Sequence, residues 1–155
     1  LQSPTTFEPR GIGAPLFIEA NTLKPGETMR LPIILGDAAT PANNAYGTAF
    51  TIQYDPAIID TASISLEFVD SWLGTYNQDF IGLYKNFGAS GKIETALTRL
   101  NQQNISGSGI IGYLNLRVRE DVTGNPTVRF TIEEPVLISA QEEMLPVEPM
   151  TTEAS

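Results

Sequence analysis

The stretch Ala49-Phe50-Thr51-Ile52-Gln53-Tyr54-Asp55-Pro56-Ala57-Ile58-Ile59-Asp60 decides the fold class. Phe50, Ile52 and Tyr54 alternate with Ala49, Thr51 and Gln53, the period of a half-buried strand. Asp55-Pro56 ends that strand, because proline gives no amide to the ladder and holds the residue before it extended. Ile58-Ile59 follows at once, so the chain turns back over its own core. The pattern predicts the corner of a β-sandwich, and no catalytic group stands in it.

The same punctuation recurs on both sides of the corner. Residues 16–20 and 28–35 read as strands, with Pro25-Gly26 between them suited to a type II turn. Pro32 places the second strand at an edge or a bulge. Residues 46–54 form the strand of the corner, and 63–69 alternate again. Residues 80–87 and 92–100 form a predicted hairpin across Gly88-Ala89-Ser90-Gly91. Residues 109–119, 127–132, 136–138 and 144–147 complete the set, and helical periodicity is nearly missing. The expected fold is all-β, with about nine antiparallel strands in a two-sheet sandwich. Its expected core holds Phe50, Ile52, Ile64, Leu66, Ile81, Leu97, Leu114, Leu116, Val118, Phe130 and Ile132. Residues 1–15 read as an extended leader or linker arm, 16–148 as the sandwich and 149–155 as a loose tail.

Composition narrows the function. The 155 residues suffice for one domain with a real core. With no cysteine and no histidine, the chain lacks thiol nucleophiles, a His-dependent triad and the commonest zinc ligands. A net charge of −9 repels phosphate backbones and argues against a nucleic-acid partner. No apolar run approaches the roughly 20 residues of a membrane span, so membrane insertion is not expected. The first residue is leucine, which fits a processed or excised chain whose export signal has been removed.

Read in order, several segments resemble the cohesin domain, the module through which cellulosome scaffolds and related surface proteins capture dockerins. Lys24-Pro25-Gly26-Glu27-Thr28-Met29-Arg30-Leu31-Pro32-Ile33 is similar to the family's opening strand. Residues 50–60 resemble its strand and Asp-Pro turn, and Lys92-Ile93-Glu94-Thr95-Ala96-Leu97-Thr98 the strand after its central hairpin. Ser106-Gly107-Ser108-Gly109 leading into residues 110–118 resembles its glycine turn and following strand, and Phe130-Thr131-Ile132 a late strand. The resemblance spans residues 16–147. It implies a jelly-roll, cohesin-like topology, a non-catalytic role and a bacterial extracellular or cell-surface location. Residues 70–79 depart from the family's pattern.

Four readings of function follow. The first is an attachment or assembly module binding a protein partner such as a dockerin-like domain. The others are a carbohydrate-binding module, a filament subunit that exchanges its amino-terminal arm with another copy of itself, and, last, an enzyme. A flat, aliphatic and polar sheet face favours a protein partner, whereas an exposed row of aromatics favours polysaccharide. The leading anchor for a partner is the loop 70–79. There Trp72 and Tyr76 offer amphipathic contact area, Tyr76 being the ring expected in solvent, and Asp70 and Asp79 would steer a basic partner. The competing reading makes Trp72, beside Leu73, a plug at the end of the core. Asp55 and Asp60, or Asp70 and Asp79, could give oxygens to a loop-bound calcium. Neither pair has the closely repeated spacing of a calcium loop, so no metal and no cofactor is expected. Asp55 is read as capping its own turn. Asp60-Thr61-Ala62 fits a bacterial O-glycosylation pattern at Thr61, and Asn104-Ile105-Ser106 is a formal sequon. Lys85 and Lys92 read as edge charges that discourage sheet-to-sheet pairing.

Overall fold

A computed structural model describes residues 13–20, 22–124 and 126–155, so most of the expected arm lies outside the described residues. The strands are β1 (Ala14–Ile18), β2 (Thr28–Leu35), β3 (Ala42–Ala45), β4 (Gly47–Gln53), β5 (Ser65–Glu67) and β6 (Phe80–Phe87). They continue as β7 (Lys92–Arg99), β8 (Ile105–Gly107), β9 (Gly109–Arg117), β10 (Val128–Ile138), β11 (Val147–Pro149) and β12 (Thr152–Ala154). One sheet has the order β11-β1-β2-β9-β5 and the other β12-β10-β4-β7-β6; β3 and β8 form a separate ribbon at one end. Every pairing is antiparallel except that of β11 with β1. The result is the expected two-sheet sandwich.

The alternation read around Phe50 and Ile52 holds, and both are buried together with Ile64, Leu66, Leu97, Leu114, Leu116, Val118, Phe130 and Ile132. Ile81 does not join them. Phe80 is fully buried, and because side chains alternate with period two, its neighbour must face out. Ile81 therefore stands beside Thr98 on the outer surface. In β9 both Ile111 and Leu114 are buried. A register shift between Ile110 and Gly112 inserts a residue and exchanges the two faces at that point.

Several boundaries differ from the sequence pattern. The strand expected over 46–54 starts at Gly47 as β4, after Tyr46, whose N–H donates to the Ile138 carbonyl. The residues before it, for which no strand is expected, form β3 of the β3–β8 ribbon. Residues 63–69 shorten to β5, preceded by a 3-10 turn over Thr61–Ser63. Lys92 lies on β7, inside its sheet rather than at an edge, and pairs with Glu133 at 3.3 Å.

The tail is not loose. β11 adds to β1 and β12 adds to β10, so the last residues cross from one sheet to the other. Ala154 is buried, and the Met150 N–H donates to the Leu16 carbonyl at 3.0 Å. At the other end, Ala14 and Pro15 belong to β1 rather than to the arm. Three-residue strands are too short for a period to be read in them, but each fills an edge that would otherwise leave backbone groups unpaired.

Candidate functional site

The outer surface of the β12-β10-β4-β7-β6 sheet is built by strand parity. With Phe50, Ile52, Ile93 and Leu97 turned inward, Ala49, Thr51, Glu94 and Ala96 must turn outward. Register then assembles rows across four strands. Leu83, Ala96, Ala49 and Val136 stand side by side, as do Ile81, Thr98, Gly47 and Ile138. In both rows the two inner strands carry small side chains, and the flanking strands carry branched aliphatic ones. The result is a shallow, open depression of about 620 Å³ lined by Ala49, Thr51, Leu83, Ala96 and Glu134 among others. Leu83 is 65% exposed.

Charges border the depression. The next row holds Lys85, Glu94, Thr51 and Glu133. Glu133 is bound to Lys92, and the Lys85 ammonium lies 5.1 Å from the Phe87 ring centre. Among the described residues, Glu94 and Glu134 have no ion-pair partner. Glu134 sits where the β10–β4 register shifts, with a φ of 51° that side chains rarely adopt. A bulge of this kind re-aims its side chain, here over the apolar row.

The loop 70–79 has a different character. The Tyr76 N–H donates to Asp70 Oδ1 at 2.9 Å, and the Thr75 N–H donates to Asp79 Oδ2 at 2.8 Å. Both carboxylates thus hold the loop's own backbone. Trp72 packs against the core and reaches the β3–β8 ribbon. A methyl carbon at Gly107 would stand 2.6 Å from Trp72 Cε3, so this approach requires glycine there. Tyr76, expected in solvent, is half-buried against the core. Its ring meets Phe80 edge-on at 5.5 Å and Phe68 at 6.0 Å. The Phe68, Tyr76 and Tyr84 rings are tilted by 32° and 57° across the Phe68 contacts and form no flat row.

The remaining candidates sit in turns. Asp55 Oδ1 accepts the Ala57 N–H at 2.8 Å, the capping role expected of it. Asp60 Oδ1 accepts the Ala62 N–H, and Thr61 is half-buried beside Gly88, its carbonyl accepting from Asn86 Nδ2. Asn104 is engaged at both ends, Oδ1 accepting the Ala140 N–H and Nδ2 donating to Gln141. Among the described residues no group of three or more His, Cys, Asp or Glu side chains converges as a metal site would require. No helix there is long and apolar enough to cross a membrane.

The family model described as the cohesin domain matches residues 15–155. The chain belongs to the cohesin family. Cohesin domains are non-catalytic protein-binding modules, and this one is not an enzyme. Solved structures agree on the fold. A type I cohesin–dockerin complex from Clostridium thermocellum has a TM-score of 0.73 at 14% identity, covering 92% of this chain and 98% of that one. The sixth cohesin of Acetivibrio cellulolyticus scaffoldin B, solved with a dockerin, gives 0.71 at 16% identity over 92% and 98% of the two chains. A non-cellulosomal cohesin from the archaeon Archaeoglobus fulgidus gives 0.64 at 14% identity over 92% and 91%. No curated protein sequence matches the chain.

The face described above has no signature in the linear sequence. Leu83, Ala96, Ala49 and Val136 are scattered along the chain, and only strand register brings them together.

Proposed function

We propose that this cohesin domain is an attachment module of an exported, cell-surface or extracellular protein, and that it captures a dockerin-like protein on the outer face of the β12-β10-β4-β7-β6 sheet. The observation that carries the reading is the pair of four-strand rows, small in the middle and aliphatic at the sides. Such a trough accepts a ridge of side chains, as an amphipathic helix presents them. Leu83 offers an apolar anchor, and the acidic rim of Glu94 and Glu134 suits a basic residue beside the partner's apolar ridge. Dockerins bound to several cohesins of this fold support the class of partner.

In this reading the loop 70–79 sets where β6 begins rather than touching the partner, since its four notable side chains are engaged within the domain. The test is binding of the purified domain to a panel of dockerins by calorimetry. Saturable binding of at least one dockerin, abolished by Ala96→Arg without change in melting temperature, is the expected result. A dockerin bound equally well by the variant places the contact elsewhere.

A further inference from the structure

We propose that a second copy of this chain adds along the free edge of β6, joining two outer sheets into one continuous sheet across a two-fold axis at Tyr84. The edge is long, and Lys85, the edge charge read from the sequence, is its one charged residue. β6 runs eight residues without proline and pairs with β7 in unbroken register. Natural edge strands are usually short, bulged, charged or covered, because their unpaired backbone groups invite another strand. Here, among the described residues, no strand covers β6.

The direction of the free groups follows from the hydrogen bonds. The Leu100 N–H donates to the Asp79 carbonyl, whereas the Phe80 carbonyl accepts from Asn77, away from β7. Antiparallel ladders alternate, so the odd-numbered residues of β6 bond to β7. Gly82, Tyr84 and Asn86 then turn their N–H and C=O groups toward the open side. A two-fold axis at Tyr84 pairs Tyr84 with itself and Gly82 with Asn86 of the second copy.

That register also suits the side chains. It sets Ile81 opposite Phe87 and Leu83 opposite the aliphatic stem of Lys85. Leu83 and Phe87, 65% and 38% exposed, would thus be covered. Charge argues for a second copy as the occupant. The chain carries −9 overall, yet residues 80–87 contain no acidic residue and one lysine. Two copies meeting here avoid the repulsion they would feel elsewhere. A register shifted by one residue toward the C-terminus would face Lys85 with itself, which like-charge pairing disfavours. The contact shares Leu83 with the trough but is made through the backbone of the edge, and self-association measured without any dockerin tests it apart from the proposed dockerin site.

Sedimentation velocity from micromolar to near-millimolar concentration reads the outcome. The wild type is expected to shift reversibly from monomer to dimer. Tyr84→Pro removes an edge N–H that the monomer does not use, and Leu83→Lys sets two lysines opposite each other. Both should sediment as monomers, and Leu83→Lys, at an exposed position, should do so with an unchanged melting temperature. Adding Lys85→Glu to Leu83→Lys should restore the dimer. The chain has no cysteine, so Tyr84→Cys should oxidise to a covalent dimer, because paired antiparallel Cα atoms lie within disulfide reach. A wild type that stays monomeric throughout overturns the proposal. So does a dimer that survives both Tyr84→Pro and Leu83→Lys, or a Tyr84→Cys variant that fails to cross-link while the wild type dimerises.

Discussion

The two outer faces of the sandwich share a strand architecture and differ in what they leave unsatisfied. On the β11-β1-β2-β9-β5 sheet, Arg30 Nε donates to Glu67 Oε1 at 2.9 Å and its guanidinium lies 3.6 Å from the Tyr113 ring centre. Asn115 Nδ2 completes the group with a bond to the same Glu67 oxygen at 2.8 Å. The Arg30 and Glu67 charges and the half-buried Tyr113 ring of that face have partners within the chain. The opposite face presents aliphatic side chains around a trough of alanine and glycine, with two glutamates whose charges no described residue balances. Burying the first face against a partner would break bonds already made. Burying the second would satisfy groups that have none. The difference supports the proposed binding face without reference to any relative.

The sharpest test of the assignment is the parity that creates both faces. Phe50→Ala should lower stability by about 3–5 kcal/mol in a denaturant titration, the combined transfer and cavity loss of a buried phenylalanine. Ile81→Ala, on the outer surface, should cost less than about 1 kcal/mol. Comparable losses at the two positions would mean that inside and outside are exchanged along β6.

The next largest effect separates the faces from each other. Ala96→Arg places a long cation in the centre of the trough and should weaken dockerin binding by at least about 100-fold, near 2.7 kcal/mol. Asn115→Ala, on the opposite face, should leave affinity unchanged within about twofold, because it touches nothing a partner on the other sheet would reach. If Asn115→Ala proves the more damaging to binding, the polar face is the interface.

The loop 70–79 tests the contrast between a core plug and an anchor. Tyr76→Ala should cost on the order of 1–3 kcal/mol of stability, since the ring packs on Phe80 and Phe68. Affinity measured well below the melting temperature should not change. A variant that melts like the wild type yet loses its partner would restore the loop as a contact surface.

How much of this was legible in the sequence depends on the range of the interaction. Alternation around Phe50 and Ile52 gave the inward face of β4, and Asp55-Pro56 gave its end, because both are local. Gly88 to Gly91 marked the β6–β7 hairpin for the same reason. The parity of β6 was missed by one residue, because Phe80 is fixed by the loop before it and not by the pattern that follows. The exchange of faces in β9 depends on a register shift against β2, which one strand alone cannot reveal. The tail was misread because its two short strands owe their form to edges elsewhere in the chain. The trough is the extreme case, since Ala49 and Ala96 are unremarkable residues until register sets them side by side between Leu83 and Val136.

The smallest effect tests whether the polar face is as self-contained as its bonds imply. The Glu67 carboxyl is held below its ordinary value of 4.5, first by the hydrogen bond from Arg30 and then by that from Asn115. A carboxylate whose value is lowered by folding stabilises the fold at pH above the ordinary range and loses that contribution as pH falls through the lowered value. The wild type should therefore lose melting temperature slightly faster with acid than Glu67→Gln does, starting just above pH 4.5 and continuing below it. Both partners are largely in water, so the difference should be a small one that salt reduces further. Acid limbs that coincide for the wild type and Glu67→Gln would reverse the comparison, leaving the Arg30 face as little tied internally as the trough's rim.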